Sequence, residues 1–171
     1  ARDQKRLDRV VLAVSVRPID KEHVEIPRLE HRVEVLRAEA EASGGWLDVV
    51  VTEHRLLVDI ARGFDVLIMG ADKWEQVNDP RYYGDDPRAR DEAVAALPEL
   101  AIAPRPPFVV PAAAALRLSD EHASVSSSAV RAGERVWMSP AAAAFDARTG
   151  AWSDPARYLR WAAGQVPRPR R

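Results

Sequence analysis

The chain has no cysteine among its 171 residues, which excludes disulfides, thiol nucleophiles and thiolate metal sites and fits a reducing cytoplasm. It also has no surplus of either charge. The 25 Lys and Arg against 26 Asp and Glu leave a formal net charge of −1, so bulk electrostatics gives no support to nucleic-acid binding. No apolar run approaches the roughly 20 residues that span a bilayer, and the charged N-terminus lacks the apolar core of a signal peptide. A soluble, cytoplasmic chain without a membrane partner is therefore expected. The four histidines, His23, His31, His54 and His122, are scattered and show no metal-ligand spacing. The length suits one domain with its own core, expected over residues 1–166, with 167–171 as a disordered basic tail.

What is present is an alternation of strand and helix signals. Residues 10–14 form a continuous apolar run bounded by polar residues, the pattern of a strand buried on both faces. Residues 28–42 place Leu29, Val33, Leu36 and Ala40 on one helical face, and Ser43-Gly44-Gly45 supplies the stop. A second strand is expected at 46–51, a short helix at 55–62 and a third strand at 64–69. This order predicts an α/β fold, a Rossmann-like parallel sheet with flanking helices and right-handed crossovers, whose ligands lie beyond the carboxyl ends of the strands. Residues 75–87 read as a polar, aromatic loop, 90–97 as a short helix and 100–103 as a weaker strand. Asp154-Pro155 opens a last helix that ends at Gly164, with Ser153 as a candidate cap.

The run Ser126-Ser127-Ser128-Ala129-Val130-Arg131 reads as a loop feeding the first turn of a helix. At such a turn unpaired N–H groups, serine hydroxyls and an arginine one turn on can converge on a phosphate, although serines before a helix also serve simply as N-caps. A second stretch, residues 64–74, is an apolar strand that ends in Gly70-Ala71-Asp72. Its plain reading is a turn capped by Asp72. A third is Ser15-Val16-Arg17-Pro18-Ile19-Asp20-Lys21 after the first apolar run, followed by Arg28 and Arg32 on a helix.

Together these stretches resemble the nucleotidyltransferase superfamily of adenylyl- and cytidylyltransferases. The serine run resembles its C-terminal signature, and the Gly70-Ala71-Asp72 turn resembles the nicotinate or nicotinamide mononucleotide adenylyltransferase branch. The Pro18–Lys21 loop and the following helix match the family's order of parts, so the resemblance covers residues 7–133. Residues 46–61 and the serine run also resemble phosphopantetheine adenylyltransferase, but that family carries Arg-Gly-Leu-Arg where this chain has Met69-Gly70-Ala71-Asp72.

The resemblance implies transfer of a nucleotidyl group, adenylyl first, from ATP or another nucleoside triphosphate to a phosphate-bearing acceptor such as nicotinate mononucleotide, with release of pyrophosphate and a place in NAD biosynthesis. It implies Lys21 and Arg131 as the catalytic cations, Ser126, Ser127 and Ser128 on the nucleotide phosphates, Gly70 and Asp72 at the ribose, and Mg²⁺ carried by the triphosphate. It gives no nucleic-acid partner and leaves a homo-oligomer open. The family's hallmark His-x-Gly-His, which stabilises charge on the triphosphate, does not occur in this sequence. Residues 1–7 look like the tail of the family's first helix, so the first strand and its histidine loop are expected to lie outside this chain, or the chain is a degenerate member. The alternative function is accordingly a nucleotide-binding or interaction protein without useful turnover.

Overall fold

The apolar runs form strands, and each strand pairs in parallel with one neighbour. A computed structural model describes residues 1–19, 26–122, 125 and 127–165. Lys21, Ser126 and the basic tail lie outside the described residues, as does the Ser127 side chain.

Helix α1 (Arg2–Lys5) leads into strand β1 (Val10–Ser15), and helix α2 (Leu29–Ala42) leads into strand β2 (Leu47–Thr52). β1 and β2 pair from Val10 opposite Leu47 to Ser15 opposite Thr52. After helix α3 (Leu57–Ile60) come strand β3 (Val66–Gly70), helix α4 (Ala71–Val77), helix α5 (Pro87–Ala95) and strand β4 (Glu99–Ala103). β3 and β4 pair from Val66 opposite Glu99 to Gly70 opposite Ala103. A bridge between Ile102 and Ala115 adds one more parallel step on the far side of β4. The result is an α/β fold of two short parallel pairs with flanking helices.

All four strands run in one direction. At the amino ends Lys5, before β1, forms an ion pair of 2.7 Å with Glu99 at the start of β4. At the opposite end Ser15 and Pro18 share a hollow with Lys73 and Gln76 of α4, the helix that leaves β3. No ladder joins β1 to β3, and the four strands remain two separate two-stranded sheets.

Two apolar clusters hold the chain together. The first lies around β3, β4 and α4, where Leu67, Met69, Val77 and Ile102 are buried. The second joins Val35 of α2 to Phe145, Tyr158 and Ala162 of helices α7 (Pro140–Thr149) and α8 (Pro155–Gly164). Its centre is Tyr158, fully buried, whose hydroxyl accepts the Arg28 N–H at 2.7 Å and lies 2.6 Å from His31 Nδ1. The His31 ring is surrounded by Phe145, Tyr158 and Trp161, the last at 4.9 Å between centroids. Asp146, 2% exposed, ties α7 to α8 by accepting the Trp152 and Ser153 N–H groups at 2.7 and 3.0 Å.

Three details differ from the sequence expectation. The stretch after Asp72 is helical through Val77, because Trp74 and Val77 pack on the β3–β4 cluster while Lys73, Glu75 and Gln76 supply the polar face that makes it read as a loop. Helix α5 starts at Pro87 rather than residue 90, since Asp86 accepts the Arg88 N–H at 2.9 Å and Pro87 is preorganised for the first turn. Helix α8 is capped by Asp154, which accepts the Arg157 N–H at 2.9 Å, and not by Ser153. Among the described residues no helix is long and apolar enough to cross a membrane.

Candidate functional site

Parallel strands that share a direction place all their carboxyl ends at one edge, where connecting loops are free to gather side chains. β1 ends at Ser15, whose hydroxyl donates to the His54 carbonyl at 2.8 Å and accepts the Arg17 N–H at 3.2 Å. The loop that carries Pro18 is thereby pinned to the loop that leaves β2. β3 ends at Gly70, which is also the N-cap position of α4. Asp72 lies in the first turn of α4, and its carboxylate folds back over the glycine: a Cβ at Gly70 would stand 2.6 Å from Asp72 Oδ1. A carboxylate in the first turn of a helix is favoured by the N–H groups and the dipole there. Beyond β4, Arg105 Nη2 donates to the Val125 carbonyl at 2.7 Å, so the loop leaving β4 holds the residue at the threshold of the serine run.

Helix α6 (Ser127–Arg131) follows, with Arg131 Nη2 donating to Ser128 Oγ at 3.1 Å. Gly133, at a positive φ of 108°, turns the chain away after it. Gly70 and Asp72 are thus brought together at the carboxyl end of β3, and Ser128 and Arg131 are brought together in α6, which follows residues 104–126 and is linked to the β4 exit through Arg105 and Val125. No described contact joins one pair to the other.

Two adjoining hollows open at this edge. One, of about 200 Å³, lies between Ser15, Pro18, Leu57, Lys73 and Tyr83. The other, of about 500 Å³, is lined by Glu53, His54, Arg55, Asp59, Arg81 and Tyr82, and Ile19 belongs to both. Sequence reasoning missed Arg55, Lys73 and Arg81 as cations of this edge. Arg55 lies in the loop that leaves β2, Lys73 in the first turns of α4 and Arg81 in the turn after α4, and their gathering becomes apparent only when strand directions are known. Lys73 Nζ donates to Gln76 Oε1 at 2.6 Å, and Arg81 Nε donates to Asp79 Oδ2 at 2.7 Å. The Arg81 contact, through the Nε donor and the Arg81 N–H, holds the Asp79 carboxyl below the usual range.

The aromatic residues divide between packing and lining. Trp74 packs on the core, and the Tyr83 hydroxyl donates to the Val77 carbonyl at 2.9 Å. Burial pushes the Tyr83 phenol up, the nearby Asp59 charge adds to this, and Arg90 opposes it. Tyr82 lines both hollows. Arg28 belongs to the start of α2, with its N–H on Tyr158 and its guanidinium 3.9 Å from Glu30. Among the described residues no group of three or more His, Asp or Glu side chains could hold a metal ion. The chain matches no protein-family model, no curated protein and no solved structure.

Proposed function

We propose that the chain is the nucleotide-binding part of a nucleotidyltransferase-like protein, with a Rossmann-like parallel arrangement whose carboxyl edge receives a Mg²⁺–nucleoside triphosphate. The observation that supports this reading is the placement of its motifs. The Pro18 loop and the Gly70–Asp72 turn leave the carboxyl ends of β1 and β3, and the serine helix, which follows residues 104–126, is tied to the loop leaving β4 by the Arg105–Val125 hydrogen bond.

In this reading Ser128 and Arg131 hold the phosphates, because guanidinium offers a planar fork to phosphate oxygens and charge-assisted bonds are roughly twice as strong as neutral ones. Ser126 and Ser127 extend that cradle, and Lys21 steadies the same phosphates from the β1 side. Asp72 accepts hydrogen bonds from the ribose, with Gly70 leaving room for it. The metal enters with the triphosphate.

The transfer itself would be in-line attack of an acceptor phosphate, such as that of nicotinate mononucleotide, on the α-phosphorus, with pyrophosphate leaving and no covalent enzyme intermediate. Positioning and charge neutralisation supply such catalysis. Because the sequence has no His-x-Gly-His, this chain by itself binds the nucleotide and does not turn it over at a useful rate. Calorimetric titration with ATP and with CTP, each with Mg²⁺, tests the reading. Saturable binding that is weakened at least about tenfold by Arg131→Ala, the loss of one charge-assisted contact, supports it. Absence of binding to the unaltered chain refutes it.

A further inference from the structure

We propose that Asp48, clamped by Arg9, is an edge guard: it keeps the outer edge of β2 from pairing antiparallel with β2 of a second copy of this chain, and its loss turns that edge into a dimer interface. β2 has one neighbour, β1, and no ladder on its other side. Val10 N donates to the Trp46 carbonyl at 2.8 Å and Val16 N to the Thr52 carbonyl at 3.0 Å, with Val10 opposite Leu47. In a parallel ladder this register turns the even residues of β2 toward β1. The N–H and C=O groups of Leu47, Val49 and Val51 therefore face outward.

Side chains cover two of those three outward donors. Leu47 N donates to Ser43 Oγ at 3.2 Å, and Val49 N donates to Asp48 Oδ1 at 2.7 Å. The second Asp48 oxygen accepts from Arg9 Nη2. The Val49 N–H and the Arg9 guanidinium together hold the Asp48 carboxyl below its usual range, so the guard is charged at neutral pH. Among the described residues the Val51 N–H has no partner. An exposed ion pair adds little to stability, so the meaning of the Arg9–Asp48 contact lies in where it puts the carboxylate: on the middle donor of a free edge.

The rest of β2 is composed to pair. Leu47-Asp48-Val49-Val50-Val51-Thr52 is β-branched from Val49 onward, and Val50 and Val51, which point to opposite faces, are each 40% exposed. A strand added at this edge covers both. Free edges of this composition associate unless a charge or a proline interrupts them, and the charge in β2 is Asp48. A second copy is the occupant because the edge complements itself. With Val49 of one copy opposite Val49 of the other, Leu47 stands opposite Val51 on both sides of the two-fold axis, and all three outward positions of each strand pair at once. The central bonds of that register require the Val49 N–H that Asp48 occupies. The two Asp48 carboxylates also become diagonal neighbours on one face, about 7–8 Å apart, where like charges repel.

The test is Asp48→Ala in the full chain, read by sedimentation velocity and by NMR amide exchange. Val51 should exchange freely in the unaltered chain. In Asp48→Ala a dimer should form, with Val51 exchange slowed about tenfold or more as the new ladder protects it. Adding Val49→Pro to Asp48→Ala removes the central outward donor and leaves the β1 ladder intact. It should abolish the dimer and restore fast exchange at Val51, while Leu12 and Val14, whose N–H groups face β2, stay protected. Glu53→Ala removes one exposed carboxylate just beyond β2, 3.9 Å from Arg17, and should leave the sedimentation of the chain unchanged.

An Asp48→Ala chain that sediments like the unaltered one, with Val51 exchange unchanged, overturns the proposal. A dimer that survives Val49→Pro is built on another surface and overturns it, and so does a dimer that Glu53→Ala forms equally, which reports net charge alone. Slow Val51 exchange in the unaltered chain shows an edge that is not guarded and overturns it too. Loss of protection at Leu12 and Val14 in Asp48→Ala assigns the residue to β1–β2 stability instead. Asp48 and Val49 are not among the proposed nucleotide contacts, so the result is independent of nucleotide binding.

Discussion

Replacing Tyr158 with Phe removes one oxygen from the second apolar cluster and leaves the ring in place. The Tyr158 hydroxyl accepts the Arg28 N–H at 2.7 Å and shares a hydrogen bond with His31 Nδ1 at 2.6 Å, so it pairs two polar groups at once. Packing of the ring against Phe145 and Trp161 survives the change, so the cost comes from two polar groups left unpaired beside a fully buried position. At about 1–2 kcal/mol for each unmade bond, the loss is about 3 kcal/mol, which for a chain of this size lowers Tm by about 6–12 °C. Thermal unfolding followed by far-UV circular dichroism reads it directly. A double-mutant cycle with His31→Leu should give a coupling of about 1 kcal/mol, as residues in direct contact do. A drop of less than about 2 °C, or strict additivity in the cycle, would show that the hydroxyl does not hold α2 to α8 and would refute the reasoning.

Asp146 is the second structural test: burial opposes its ionisation, but the donated Trp152 N–H, the Ser153 hydroxyl and N–H groups, and the Arg135 charge outweigh burial and hold the carboxyl below its usual range. Its stabilising effect is present above the ordinary Asp range and is lost as pH falls below about 4, so Asp146→Ala should cost about 2–4 kcal/mol at pH 7 and flatten the acid limb of a stability–pH profile. Gly150→Ala should cost about 2 kcal/mol in urea unfolding, because Gly150 has a φ of 77° and a Cβ would stand 2.9 Å from the Asp154 carbonyl. Gly70→Ala separates site from scaffold: the new methyl displaces the Asp72 carboxylate and not the backbone, so unfolding should move by less than about 1 kcal/mol while ATP affinity falls several-fold. Equal effects on both would show that the turn is structural only.

The strands were legible because their apolar runs, residues 10–14 and 66–69, are short and bounded by polar residues or glycine, but the expected burial of 10–14 on both faces is not met: β1 has no buried residue and Ala13 is exposed, since no strand pairs with its second edge. Helices α2 and α8 were legible from their stop and start residues, Gly44-Gly45 and Asp154-Pro155. Helix α7 escaped because Ala141 to Ala144 give no contrast between faces, and its markers, Pro140 at the first turn and Gly150 in the left-handed region, are purely local. Helix α4 escaped because Gly70 serves both as the last strand residue and as the helix cap.

The placement of the Pro18 loop and the Gly70–Asp72 turn at strand carboxyl ends follows from strand direction, which apolar patterning does not encode. The separation of β1 from β3 and the grip of Tyr158 on His31 are contacts between distant parts of the chain, and no local signal announces them.

The central claim is that the carboxyl edge of the parallel strands is the nucleotide site, and amide exchange of the full chain with and without Mg²⁺–ATP tests it most directly. The account predicts slowed exchange in the first turn of α4, around Asp72 and Lys73, and in α6 through Arg131, with α7 and α8 unchanged. Exchange that is unaltered at both α4 and α6, or slowed only in α7 and α8, would contradict it.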